Sequence, residues 1–147
     1  MKRFVFGLIG FLLLASCSKK ELLLGEISIT PLPADLIEGQ GYFEINATTI
    51  VAVENEEQQE IATRFFNQFE TVSGWIPEIQ LGTDKGTIAF STDTSLEKEA
   101  YELHVDATKI QIKAASGAGF FYALQSLKQL LPPSFYATKR QPNIVWG

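Results

Sequence analysis

Two stretches decide how this chain folds: Glu99-Ala100-Tyr101-Glu102-Leu103-His104-Val105 and, after a turn and a second strand, Gly119-Phe120-Phe121-Tyr122-Ala123-Leu124-Gln125-Ser126-Leu127-Lys128-Gln129-Leu130-Leu131-Pro132. In the first, apolar and polar residues alternate. Tyr101, Leu103 and Val105 fall on one side of an extended chain, and Glu102, His104 and Asp106 on the other. Asp106-Ala107-Thr108 turns the chain. Ile110, Ile112 and Ala114 then alternate with Lys109, Gln111 and Lys113. A period of two over both arms predicts a hairpin in a sheet with one covered face and one wet face. In the second stretch the period changes. Phe120, Ala123, Leu124, Leu127, Leu130 and Leu131 recur at three and four, which predicts an amphipathic helix that Pro132-Pro133 ends.

Upstream, Ile61, Ala62, Phe65, Phe69 and Val72 follow the same helical spacing. Asn55 is placed to cap the N-terminus, Gln58 to close a capping box and Gly74 to end the helix, which is expected near 56–73. Glu56 and Glu57 suit the positive end of its dipole. Short strands are expected at Ile27–Thr30, Tyr42–Ile45, Thr49–Val53, Ile79–Leu81 and Thr87–Ser91. The expected fold class is therefore α+β: a mostly antiparallel sheet of about six or seven strands with two helices packed on one face.

The N-terminus reads as a targeting segment. Lys2 and Arg3 precede an apolar run from Phe4 to Leu14 that is too short to span a bilayer as a mature helix. Leu14-Ala15-Ser16-Cys17 then has the aliphatic-small-small-cysteine pattern of a bacterial lipoprotein, with the thiol of Cys17, the sole cysteine, as the point of lipidation. This divides the chain into a signal peptide over 1–16, a tether over 17–26, a domain over 27–138 and a connector over 139–147. The expected location is outside the cytoplasm, lipid-anchored to a bacterial membrane and facing the periplasm or cell surface. A lone cysteine makes no internal disulfide, so the core alone must stabilise the domain.

Composition narrows the function. The net charge is −5, and −7 once Lys2 and Arg3 leave with the signal. An acidic chain without a basic run has no footprint for nucleic acid. His104, the single histidine, sits at an outward strand position and has no nucleophile beside it. No metal-ligand spacing is present. Gly117-Ala118-Gly119 lacks the residues of a phosphate loop and reads instead as room for a helix to start close to a strand. Among the carboxylates, Glu56-Glu57 belong to a helix start, and Asp93, Glu97 and Glu99 lie in a polar loop with no apolar neighbours. No catalytic, cofactor-binding or metal-binding residue is assigned, and no cofactor is called for. Trp75, Trp146, Tyr42 and Phe121 have flat faces that could stack on sugar. Phe121, Phe135, Tyr136 and Trp146 are read instead as packing against a neighbouring domain.

The closing hairpin and helix, above all the run Phe121-Tyr122-Ala123-Leu124-Gln125-Ser126-Leu127, resemble the small domain that precedes the catalytic barrel in bacterial family 20 β-N-acetylhexosaminidases. Ile29-Thr30-Pro31-Leu32-Pro33 resembles that domain's opening, and Gly41-Tyr42-Phe43 with Thr49-Ile50 fits its next segment, so the likeness spans about Ile27 to Leu131. The resemblance implies a sheet with two helices on one side. It also implies a parent exo-enzyme that removes terminal N-acetylhexosamine with the help of the substrate's own acetamido group and an Asp-Glu pair on the barrel. No residue here matches that pair. The partners implied are the barrel and, through Cys17, a membrane. The chain stops at Gly147, about where the barrel is expected to begin. The alternative from another class is a freestanding lipoprotein module that binds glycan or protein.

Overall fold

The computed structural model describes residues 27–83 and 85–141. The expected signal peptide over 1–16, the expected tether over 17–26 with Cys17, and Trp146 lie outside them. Five strands form one mixed sheet: β1 (Ile50–Val53), β2 (Glu78–Leu81), β3 (Ile88–Thr92), β4 (Tyr101–Val105) and β5 (Ile110–Ala114). They lie in the order β2-β1-β3-β5-β4. The pairings β1–β2, β1–β3 and β3–β5 are parallel, and only β4–β5 is antiparallel. This overturns the expectation of a mostly antiparallel sheet of six or seven strands.

Two physical features produce the smaller, mostly parallel sheet. First, Ile27–Thr30 and Tyr42–Ile45 form no strand; Ile45 makes an isolated bridge. The opening segment carries Pro31 and Pro33, which have no N–H to donate to a ladder, and the Thr30–Pro31 bond is cis. The side-chain amide of Gln129 holds this segment instead. Its Oε1 accepts from Thr30 N (2.9 Å) and its Nε2 donates to Thr30 O (3.1 Å). Second, the chain from β1 to β2 passes through a helix. A helical crossover returns the next strand parallel to the first, whereas a tight turn reverses it.

That crossover is α1 (Glu56–Phe66) followed by α2 (Gln68–Ser73), where one continuous helix was expected. The break falls at Asn67, which is at once the C-cap of α1 and the N-cap of α2. At the other end Asn55 Oδ1 accepts from Gln58 N at 3.0 Å, as a capping residue should. The return half of the expected capping box is displaced by one residue: Gln58 Oε1 accepts from Glu54 N at 2.8 Å. Gly74, at φ 77°, ends α2 as expected.

α3 (Gly117–Leu130) follows β5. It packs on β4 and β5, while α1 packs on β1 and β2, and the two helices touch, so both cover one face of the sheet. In-register rows set the core beneath them: Val51 beside Ile88, Ile88 beside Ile110, and Phe90 beside Ile112. Phe66 and Phe69 are fully buried under the crossover, as is Leu124 under α3. Burying each such side chain stabilises by about 1.5–3 kcal/mol. Gly119 allows the close start of α3 that its position suggests, since a Cβ there would meet Ala100 O at 2.5 Å and Ala114 Cβ at 2.7 Å.

Candidate functional site

The layer has two outward surfaces of different chemistry. On the open face of the sheet, register brings together the rows Gln80, Ala52, Ala89, Gln111 and His104, and Ser91, Lys113 and Glu102. His104 is exposed there, with Nε2 3.6 Å from Asp106 Oδ2, and Lys113 Nζ lies 3.4 Å from Glu102 Oε2. Both contacts are solvated, and solvated pairs stabilise little. The shallow depression on this face is lined by Glu54, Thr83, Ser91, Lys109 and Gln111 among others. Among the described residues, none of the aromatics singled out in the sequence borders it.

Glu54 is an acid held by three hydrogen bonds. It stands at the end of β1 and its Oε2 accepts from Thr92 N (2.9 Å), Thr92 Oγ1 (2.7 Å) and Gln58 Nε2 (3.4 Å). Gln58 also donates to Thr92 Oγ1 at 3.0 Å. Partial burial pushes the carboxyl pKa upward, but the hydrogen bonds from Thr92 and Gln58 together outweigh it and hold the pKa below the usual value. A carboxylate so occupied ties strand ends together and has no proton to give at neutral pH. Asp93 is similarly engaged. Ser95 Oγ and Ser95 N donate to it and lower its pKa. Glu97 and Glu99 are exposed, as are Glu56 and Glu57 at the start of α1. Among the described residues, no group of His, Cys, Asp or Glu could hold a metal ion.

The second surface is the outer flank of the helix layer. Phe121 is 51% exposed, Tyr122 43% and Tyr136 56%. The rings of Phe121 and Tyr122 are 5.6 Å apart. One and two turns along α3 from Phe121 stand Gln125 and Lys128. Tyr136, in the 3₁₀ turn Pro133–Tyr136, closes the stripe by donating its hydroxyl to Lys128 O at 2.9 Å. Lys128 Nζ reaches Gln68 Oε1 at 2.7 Å and lies 6.0 Å from the Tyr136 ring.

The sequence-derived aromatics therefore separate. Phe121 and Tyr136 are outward, as an interface requires. Phe135 is only 6% exposed, its ring 4.9 Å from that of Phe69, and belongs to the core. Trp75 packs on the same ring at 6.0 Å. Tyr42 is exposed on the N-terminal segment, apart from any strand. Trp146 lies outside the described residues, as does Cys17. Tyr122 was missed. It sits beside Phe121, off the buried stripe, and the same helical count would have found it.

The family model described as "Glycosyl hydrolase family 20, domain 2" matches residues 26–144. A β-hexosaminidase of Porphyromonas gingivalis is 33% identical over 144 residues, which cover 90% of this chain and 18% of that protein. A β-hexosaminidase of Vibrio furnissii is 27% identical over 107 residues, covering 73% and 17% respectively. The chain thus spans less than a fifth of these curated relatives. Among solved structures, the Streptomyces plicatus N-acetyl-β-hexosaminidase in complex with Thio-NAglucal superposes with a TM-score of 0.69 at 22% identity, covering 78% of this chain and 23% of that one. The β-N-acetylhexosaminidase of Bacteroides fragilis superposes with a TM-score of 0.56 at 27% identity, covering 69% and 20%. With the family model matched over residues 26–144, most of the chain, the chain belongs to the glycosyl hydrolase family 20 domain 2 family.

Proposed function

We propose that this chain is the non-catalytic accessory domain of a lipoprotein exo-β-N-acetylhexosaminidase, an enzyme that removes terminal N-acetylhexosamine from glycans. The match over residues 26–144 carries the reading. It is supported by curated relatives named β-hexosaminidase of which this domain is a small share. It is also supported by acids that either serve the fold, as Glu54 does, or stand dispersed at the surface. The chemistry belongs to a barrel that would continue the polypeptide. The outer helix flank at Phe121, Tyr122 and Tyr136 is its seat. That face is apolar where the open sheet face is polar, and the described chain departs on the helix side, past Tyr136. The Leu14-Ala15-Ser16-Cys17 motif supports export and anchoring to a bacterial membrane through lipid on Cys17.

The decisive experiment reads the gene beyond the codon for Gly147 and assays two proteins on an aryl N-acetylglucosaminide. A product that continues into a barrel with an Asp-Glu pair should cleave it, and the 147-residue chain should not. Cleavage by the shorter chain would overturn the placement of the active site. A stop codon after Gly147 together with saturable binding of chitin oligosaccharides would favour the freestanding module. Mass spectrometry of the protein from its host should find Cys17 acylated, and an unmodified thiol refutes the anchor.

A further inference from the structure

We infer that Gly74 and Arg140 form a latch that fixes the path by which the chain leaves this domain. Gln141 is then held at a fixed point on the helix layer. The exit path is held at three places. Phe135 is inserted beside Phe69, and the Tyr136 hydroxyl bonds the carbonyl of Lys128 near the end of α3. Farther on, Gln141 N donates to Val72 O at 2.7 Å. That last bond satisfies a carbonyl in the final turn of α2, a group that the helix itself leaves without a partner.

Arg140, the residue before, supplies the latch. A methyl group built on Gly74 would overlap Nη2, Cζ and Nε of Arg140 together, so the guanidinium lies flat over the glycine. Gly74 is thereby constrained twice. Its φ of 77° caps α2, with its own N–H bonded to Glu70 O at 2.9 Å, and its missing side chain leaves the slot that Arg140 fills. A planar guanidinium suits such a slot and a tetrahedral ammonium does not. The chain thus returns from the end of α3 to the end of α2, and its direction is set there. That this direction orients a catalytic neighbour rests on the function proposed above. The latch itself does not.

Amide hydrogen exchange at Gln141, followed by NMR in the full chain, tests it. Arg140→Ala and Gly74→Ala should each speed exchange at Gln141 by at least roughly tenfold, while amides of β3 and β5 keep their protection. Gly82→Ala is the control. Gly82 has a matching φ of 72° but nothing within 4 Å of an added Cβ, so it brings the same backbone strain without displacing a neighbour. It should leave Gln141 unchanged. Wild-type protection in either of the first two variants, or loss of protection in the third, overturns the latch. The readout needs no neighbouring domain, so its failure is distinct from a failure of the hexosaminidase reading.

Discussion

Strands β1 and β5 lie in one sheet, separated only by β3, yet they are buried in different ways. In β5 the burial alternates: Ile110, Ile112 and Ala114 face the helices, and Gln111 and Lys113 face water. In β1, Val51, Ala52 and Val53 are all buried. The core covers Val51 and Val53. Ala52 points the other way and is covered by the loop between β2 and β3, where a Cβ on Gly86 would come within 2.6 Å of both Ala52 Cβ and Ala52 N. The difference follows from topology. A parallel strand inside a crossover has chain passing over both of its faces, whereas a hairpin at the sheet margin is roofed on one side only. The β1 half is therefore specified by packing from distant segments, and the hairpin half by its own alternation.

The comparison breaks most plainly if the two halves prove to be separate folding units. Phe69→Ala, in the crossover, should cost about 3–5 kcal/mol, and Leu124→Ala, over the hairpin, about 2–5 kcal/mol, both read from urea unfolding. With Trp146 replaced by Phe, Trp75 fluorescence reports on the crossover and far-ultraviolet circular dichroism on the whole. In both variants the two curves should coincide, because α1 and α3 touch and share one core. A Leu124→Ala chain whose Trp75 signal stays native while circular dichroism is lost would separate the halves.

A smaller effect sharpens the contrast between the outer faces. Gly86→Val should cost about 1–3 kcal/mol through overpacking against β1. Gln111→Val, on the same face of β5, should change stability by less than about 0.5 kcal/mol. Equal costs would mean that the outer face of β1 is as open as that of β5.

Smaller again is the pH dependence of the strand-end tie. The folded pKa of Glu54 lies below the ordinary value of a glutamate. Its contribution is therefore fully present above that ordinary value and is lost as pH falls through the folded one. Glu54→Gln should be less stable than wild type at neutral pH, and the gap should close as the pH falls through the folded pKa of Glu54. A gap that persists at pH 2 would show that the charge of Glu54 is irrelevant to the tie. The least effect belongs to the hairpin's wet face. Lys113→Ala should shift stability by no more than about 0.5 kcal/mol, since its pairing with Glu102 is solvated, and raising the salt concentration should shrink that difference further.

Legibility followed the same division. The hairpin arms, the stripe of α3, the cap at Asn55 and the terminator at Gly74 were readable because each depends on residues near in sequence. The glycine at 119 was readable as a close approach, though not which atoms it approaches. At the candidate interface, Phe121 and Tyr136 were placed outward correctly. Phe135 was not, because the space it fills is made by Phe69, far off in the chain. Alternation at Ile27–Thr30 and Tyr42–Ile45 suggested strands that the fold does not form, since alternation creates a strand only where a neighbour offers a ladder.

By itself, the sequence determined the two hairpin arms, the apolar stripe of α3 and the helix ends at Asn55 and Gly74, because periodicity, caps and turns are settled over a few residues by local hydrogen bonding and sterics. The tertiary structure alone decided that three of the four strand pairings run parallel. It likewise decided that Ala52 is roofed on its outer side and that Gln141 and Arg140 close on the end of α2. These contacts join segments far apart in the chain, and their register is set by how the core fills, which no local pattern encodes.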